Sequence, residues 1–142
     1  MGMFKKKNEA EISGKKSIMI VDDSKSESLL IGALFENEYE IVYMEDGQKA
    51  LNHIFEGHKP DLILLDMEMP HMNGRVFLRR LKHQIAFKDI PVIFISSVNS
   101  NLIINTMIKQ GIVDYLVKPF NSQELVSKVK GVFQSWFEKP IK

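Results

Sequence analysis

Residues Pro60–Gly74 read PDLILLDMEMPHMNG. Leu62–Leu65 is a short apolar run with neither helical nor alternating period, bounded by a proline before it and a polar turn after it. Such a run fits a strand buried on both faces. Asp66 follows where a strand of an open parallel sheet delivers its last side chain to solvent, and such sheets bind and react at the carboxyl ends of their strands. A carboxylate there can serve as nucleophile, metal ligand or both; taken alone, it can equally be a strand-end or helix-capping aspartate. Pro70 and Gly74 punctuate the turn into the next helix. What the other strand ends carry decides between these readings.

Upstream, Ser17–Val21 (SIMIV) is a second buried-type strand, ending in Asp22-Asp23-Ser24. Ser24 or Asp23 can cap a helix starting there, with Leu30, Ala33 and Leu34 marking its inward face. Tyr39–Met44 is a looser strand with polar interruptions, suited to a sheet edge. Asp46-Gly47 makes a turn, and Ala50, Leu51, Ile54 and Phe55 recur at helical spacing. Downstream of Asp66, a basic helix over 74–83 buries Phe77, Leu78 and Leu81 and exposes Arg75, Arg79 and Lys82. Pro91–Ile95 (PVIFI) is another continuous strand, ending in Ser96-Ser97. A helix carrying Ile103, Ile104, Met107 and Ile108 stops at Gly111. Val113–Val117 is the fifth strand, followed by Lys118-Pro119-Phe120. Asn121 or Ser122 caps a last helix with Leu125, Val129, Val132, Phe133 and Trp136 as its apolar positions. Strands alternating with helices over short links imply right-handed crossovers and a parallel sheet covered on both faces: one doubly wound α/β domain over 17–138.

The 142-residue length suits a single domain, and a chain of this size buries roughly 68–70% of its unfolded surface. With no cysteine, disulfides and thiolate metal sites are excluded and a reducing compartment fits. No apolar stretch has the length to span a bilayer, and the N-terminus lacks the apolar core of a secretory signal, so the expected location is cytoplasmic, with no membrane partner. The net charge of +1 is unevenly placed. Residues 1–16 hold five lysines against two glutamates and read as a flexible basic tail; 139–142 form a short C-terminal tail. The remainder is slightly acidic, which argues against direct nucleic-acid binding.

Four strand ends carry candidate active groups: Asp22 and Asp23, then Asp66, Ser96 and Lys118. In a parallel sheet all of these ends lie on one edge. Three carboxylates together repel one another and raise their own pKa values unless a cation sits among them. An all-oxygen donor set without histidine or cysteine at ligand spacing favours Mg²⁺ or Mn²⁺ over zinc. A hydroxyl and an ammonium opposite the metal are what a phosphoryl group needs to neutralise its equatorial oxygens.

The stretches IMIVDDS (18–24), LILLDMEMPHMNG (62–74), IPVIFISS (90–97) and DYLVKPF (114–120), in this order and spacing, resemble the receiver domain of bacterial two-component response regulators. The resemblance covers residues 17–137. It implies a flavodoxin-like five-stranded parallel sheet, (βα)5, of order 2-1-3-4-5. It implies Asp66 as phosphoacceptor, attacking a phosphohistidine of a sensor histidine kinase or histidine phosphotransfer protein, or a small phosphodonor. Asp23, Asp66 and the backbone carbonyl of Glu68 would ligate Mg²⁺, with Asp22 reaching it through water. Lys118 would pair with the phosphoryl group, its bond to Pro119 cis; Ser96 would swing toward the phosphoryl oxygens. Tyr115 would then rotate from outside to inside, remodelling the face of fourth helix, fifth strand and fifth helix, through which a homodimer could also form. Such a domain is a phosphorylation-controlled switch rather than a turnover enzyme: it catalyses only its own phosphorylation and dephosphorylation.

Some positions depart from the family pattern. Ser96 stands for the commoner threonine, and Gly111-Ile112-Val113 lacks the usual alanine. Glu68 and Val98 occupy the positions flanking the hydrolytic water; Val98 cannot hydrogen-bond it, so a long-lived phosphorylated state is expected. His71 lies near Asp66 in sequence and could influence the site, whereas His53, His58 and His83 read as solvated. Two other classes fit less well. An aspartyl-phosphate phosphatase would want an Asp-x-Asp pair where Asp66 is followed at plus two by Glu68. A flavodoxin-like electron carrier would want a hydroxyl- and glycine-rich loop where this chain places Asp22-Asp23. Whether the chain acts alone or as the receiver of a larger regulator stays open at this level.

Overall fold

The apolar runs become strands because each side chain finds an apolar partner on its own side of a two-faced sheet. Strands β1 (Ser17–Val21), β2 (Glu40–Met44), β3 (Leu62–Asp66), β4 (Val92–Ser96) and β5 (Asp114–Val117) alternate with α1 (Lys25–Ala33), α2 (Gly47–Phe55), α3 (Gly74–Lys82), α4 (Asn101–Lys109) and α5 (Ser122–Phe137). The computed structural model describes residues 14–137; the expected tails, apart from 14–16, and the side chains of Trp136 and Phe137 lie outside what is described. All strands are parallel, in the order β2-β1-β3-β4-β5. This is the doubly wound, flavodoxin-like arrangement. Among the described residues no helix is long and apolar enough to cross a membrane.

Neighbouring residues of a strand serve opposite layers. Met19, Val21, Ile63 and Leu65 pack with Leu51 and Ile54 of α2, Phe77 and Leu81 of α3, and Met107 of α4. Ile18, Ile20, Leu62 and Leu64 pack with Ile31 of α1 and Leu125 and Val129 of α5. Each such fully buried side chain is worth about 1.5–3 kcal/mol, which is why the central runs show no polar alternation. β2 has one neighbour and is only half buried, matching its polar interruptions.

The ladder also runs past the strand ends. The Asp22 amide donates to the Met44 carbonyl at 3.0 Å, Met67 to Ile95 at 3.2 Å, and Lys118 to Ser96 at 2.8 Å. The first loop residues at the carboxyl edge are therefore pinned by sheet hydrogen bonds. Side-chain caps then start the helices. The Ser24 hydroxyl accepts from the Glu27 amide, Asp46 from Lys49, Asn73 from Val76, Ser100 from Ile103, and Asn121 from Glu124. Ser24 and Asn121, not Asp23 and Ser122, thus do the capping at the two places where the sequence left a choice. Asp46-Gly47 is a cap and first turn of α2 rather than a free turn. Gly111, at φ +107°, reverses the chain after α4 in a backbone region that side chains avoid.

Some expected faces are corrected. The buried stripe of α1 is Ser28, Ile31 and Gly32, followed by Phe35 beyond its end, while Leu30 is 72% exposed and Ala33 and Leu34 face solvent. The segment Leu29–Phe35 is apolar nearly all round, so hydrophobicity alone does not set its phase. The Ser24 cap sets it, as does Gly32, whose missing Cβ makes room for the Tyr43 hydroxyl. Lys82 is half buried rather than exposed: its ammonium donates to the carbonyls of Lys88 at 2.7 Å and Ile90 at 3.5 Å. Phe55 is partly exposed and stacks on Phe87 at 5.4 Å, and Ile108 is largely exposed. His53 and His58 are half buried and stack on each other at 4.3 Å instead of standing free in solvent.

Adjacent residues of α1 should therefore differ sharply. Ile31→Ala is expected to cost about 2–4 kcal/mol through the cavity it leaves, and Leu30→Ala less than about 0.5 kcal/mol. Urea unfolding of the two variants checks this; equal losses would place the helix in the wrong phase.

Candidate functional site at the carboxyl edge of the sheet

Asp66 is the last residue of the central strand and pairs with Ile95 on β4. Its side chain is only 5% exposed. Asp22 follows β1 on the neighbouring strand and is buried as well, whereas Asp23 is exposed. Each of the three offers a carboxylate oxygen, and these oxygens all lie within 4.8 Å of one another. Lys118, just past β5, places Nζ 3.5 Å from Asp66 Oδ1 and 2.9 Å from Glu27 Oε1. The Lys118–Pro119 bond is cis.

Crowding and burial set the electrostatics. Burial, with a further push from Asp22, raises Asp66 to about 6, against the opposing pull of Lys118 and of the Glu68 amide. Asp22 is also raised, chiefly by burial and then by Glu27, although the Ser24 amide donates to its Oδ1 at 2.8 Å. For Lys118, burial works against the ammonium, but the hydrogen bond to Glu27 and the charges of Asp66 and Asp22 outweigh it and hold its pKa above the usual value. An anionic cluster of hard oxygen donors, short of one positive partner, fits a hard divalent cation such as Mg²⁺ or Mn²⁺.

Ser96, the last residue of β4, is fully buried. Its hydroxyl donates to Glu68 Oε1 at 2.8 Å and accepts from the Val98 amide at 3.0 Å; the Ser97 hydroxyl reaches the same glutamate oxygen at 3.1 Å. The carboxylate of Glu68 is thus committed to two serine hydroxyls, while its amide faces Asp66 Oδ1 at 3.4 Å. Tyr115 is 7% exposed, and its hydroxyl donates to the Val98 carbonyl at 3.1 Å. It lies inside, where the sequence had suggested an outward starting position. His71 is exposed. The residue that sequence reasoning missed is Glu27. Its signal was the Ser24-x-x-Glu27 spacing of a capping box, but only the fold turns that carboxylate toward Lys118.

Residues 18–130 match the family described as response regulator receiver domain. The chain belongs to that family. It is 34% identical over 121 residues to the cyclic di-GMP phosphodiesterase response regulator RpfG of Xanthomonas campestris, covering 83% of this chain and 32% of RpfG. It is 32% identical over 117 residues to the CAI-1 autoinducer sensor kinase/phosphatase CqsS of Vibrio cholerae, covering 81% of this chain and 17% of CqsS. This receiver thus spans a third or less of these two relatives. Among solved structures, the Mn²⁺-bound response regulator Rcp1 superposes with a TM-score of 0.71 at 27% identity, covering 89% of this chain and 97% of Rcp1. The family is one of signalling phosphoacceptor domains, found in both kinases and regulators.

The raised Asp66 pKa has a measurable consequence in chelator-treated protein. The folded value of about 6 exceeds the ordinary 3.8, so an ionised Asp66 costs stability above about pH 6, and the cost is relieved as pH falls from 6 toward 3.8. Asp66→Asn should therefore be more stable than the wild type at pH 8, by roughly 1–3 kcal/mol, with the gap narrowing toward pH 4.5. Thermal unfolding across this range checks it; a gap that widens on acidification contradicts it.

Proposed function

We propose that the domain, over 17–138, accepts a phosphoryl group on Asp66 from the phosphohistidine of a sensor histidine kinase or histidine phosphotransfer protein. The observation that carries this is the placement of Lys118 3.5 Å from a buried Asp66 within a three-carboxylate cluster. An Asp66 carboxylate oxygen forms the new bond to phosphorus while the bond from phosphorus to the donor imidazole nitrogen breaks, and the imidazole leaves with a proton. Hydrolysis reverses the modification: water attacks phosphorus and restores the carboxylate with release of phosphate. The protein catalyses only these two events on itself.

Asp23, Asp66 and the Glu68 carbonyl are assigned as Mg²⁺ ligands, with Asp22 acting through water and Mn²⁺ as a substitute. When bound, the cation neutralises charge developing on the phosphoryl oxygens. The chain supplies the rest: the Lys118 ammonium on a second oxygen and the Ser96 hydroxyl on a third. To reach it, Ser96 must leave Glu68, whose carboxylate keeps its bond to Ser97. The Tyr115 hydroxyl is tied to the Val98 carbonyl, and the Val98 amide to Ser96. Movement of Ser96 is thereby passed to Tyr115 and on to the α4–β5–α5 face, the expected output and homodimer surface, where Leu102 stands 77% exposed. Phosphorylation adds charge and acceptor oxygens at one end of this chain of contacts and biases its position at the other. A cytoplasmic setting accords with this role.

Intact mass after incubation with Mg²⁺ and phosphoramidate tests the reading. One metal-dependent phosphoryl adduct is expected, absent from Asp66→Asn; an adduct persisting in that variant would name the wrong aspartate. The lifetime of the adduct tests Val98. Val98→Gln, able to hold the hydrolytic water by a hydrogen bond worth about 1 kcal/mol, should hasten phosphate loss roughly fivefold. An unchanged or slower loss would remove the water-positioning account.

A further inference from the structure

Glu27 sits three residues after the Ser24 cap, where a capping-box glutamate would turn back to the amide of its own cap residue. Here the forward half of the box is present, since the Glu27 amide donates to Ser24 Oγ at 3.3 Å. The return half is blocked, because the Ser24 amide already donates to Asp22 Oδ1 at 2.8 Å. The Glu27 carboxylate instead takes the Lys118 ammonium at 2.9 Å, closer than the 3.5 Å from that ammonium to Asp66. The lysine of the phosphoryl site is therefore paired more tightly to a residue outside the acidic triad than to the nucleophile.

We propose that Glu27 restrains phosphoryl transfer: it is the resting counter-ion of Lys118, and an incoming phosphoryl group must displace it. Glu27 holds the ammonium closer to itself than to Asp66, and it places a negative charge where an anionic donor must approach. Its pair with Lys118 is partly open to water, with 40% of the glutamate side chain exposed, so salt screens the competition. This proposal rests on Asp66 being the phosphoacceptor.

The test is the second-order rate constant for phosphoramidate labelling in Mg²⁺, followed by intact mass, for wild type, Glu27→Gln and Glu27→Ala. Glu38→Gln serves as a control that removes the same charge from the turn beyond the far end of α1, and Asp66→Asn as the blank. Loss of the competing carboxylate should raise the rate constant roughly three- to tenfold in both Glu27 variants. The gap to wild type should shrink as salt rises from about 0.05 to about 1 M, and Glu38→Gln should match wild type. Rates unchanged or lowered in both Glu27 variants would overturn the proposal, as would an equal rise in Glu38→Gln. A wild type that takes no label at all removes the phosphoacceptor reading, and this proposal with it. Labelling of wild type but not of Asp66→Asn, with no acceleration in the Glu27 variants, removes this proposal alone.

Discussion

Three carboxylates held at one edge of a parallel sheet are an electrostatic burden that the surrounding residues answer in kind. Asp66 cannot retreat from Asp22, because both leave adjacent strands whose register is locked along β1 and β3. It cannot reach water freely either, since it ends a strand buried on both faces. The result is a carboxylate with a raised pKa, one ammonium nearby and room in its donor set for a hard cation. A site poised in this way gains from any ligand that brings positive charge and from any chemistry that redistributes the negative.

The cationic side of the balance is a single lysine shared between two acids. Lys118 follows the shortest strand, and its amide is bonded to the Ser96 carbonyl. Its position along the edge is thus set by β4, the strand that also delivers the hydroxyl. The hydroxyl has its own acidic partner, Glu68. Each group suited to hold a phosphoryl oxygen is thus already engaged by a glutamate, Lys118 by Glu27 and Ser96 by Glu68. A resting state stabilised by such pairs changes only for a ligand that satisfies both groups better.

Much of this was legible in the chain as written. The uninterrupted apolar runs at Ser17–Val21, Leu62–Leu65 and Pro91–Ile95 require burial on two faces, and the short links require parallel strands. Those two constraints alone bring Asp22, Asp23, Asp66, Ser96 and Lys118 to one edge. The phase of α1 was not legible: in a helix apolar nearly all round, the inward stripe is chosen by a cap and by a glycine that yields to a tyrosine from another strand. Nor was the half-buried position of Lys82, whose ammonium depends on carbonyls of a loop that periodicity does not describe.

Strand identity, sheet class and the residues gathered at the reactive edge are thus properties of the sequence, because hydrophobic period and link length act locally and admit few topologies. The pairings of those residues belong to the tertiary structure. Glu27 meets Lys118 across 91 positions of chain, Ser96 meets Glu68 across 28, and Tyr115 meets Val98 across 17. No local rule specifies such partners. They are chosen by which acceptor is left without a closer donor once the sheet and its caps have formed.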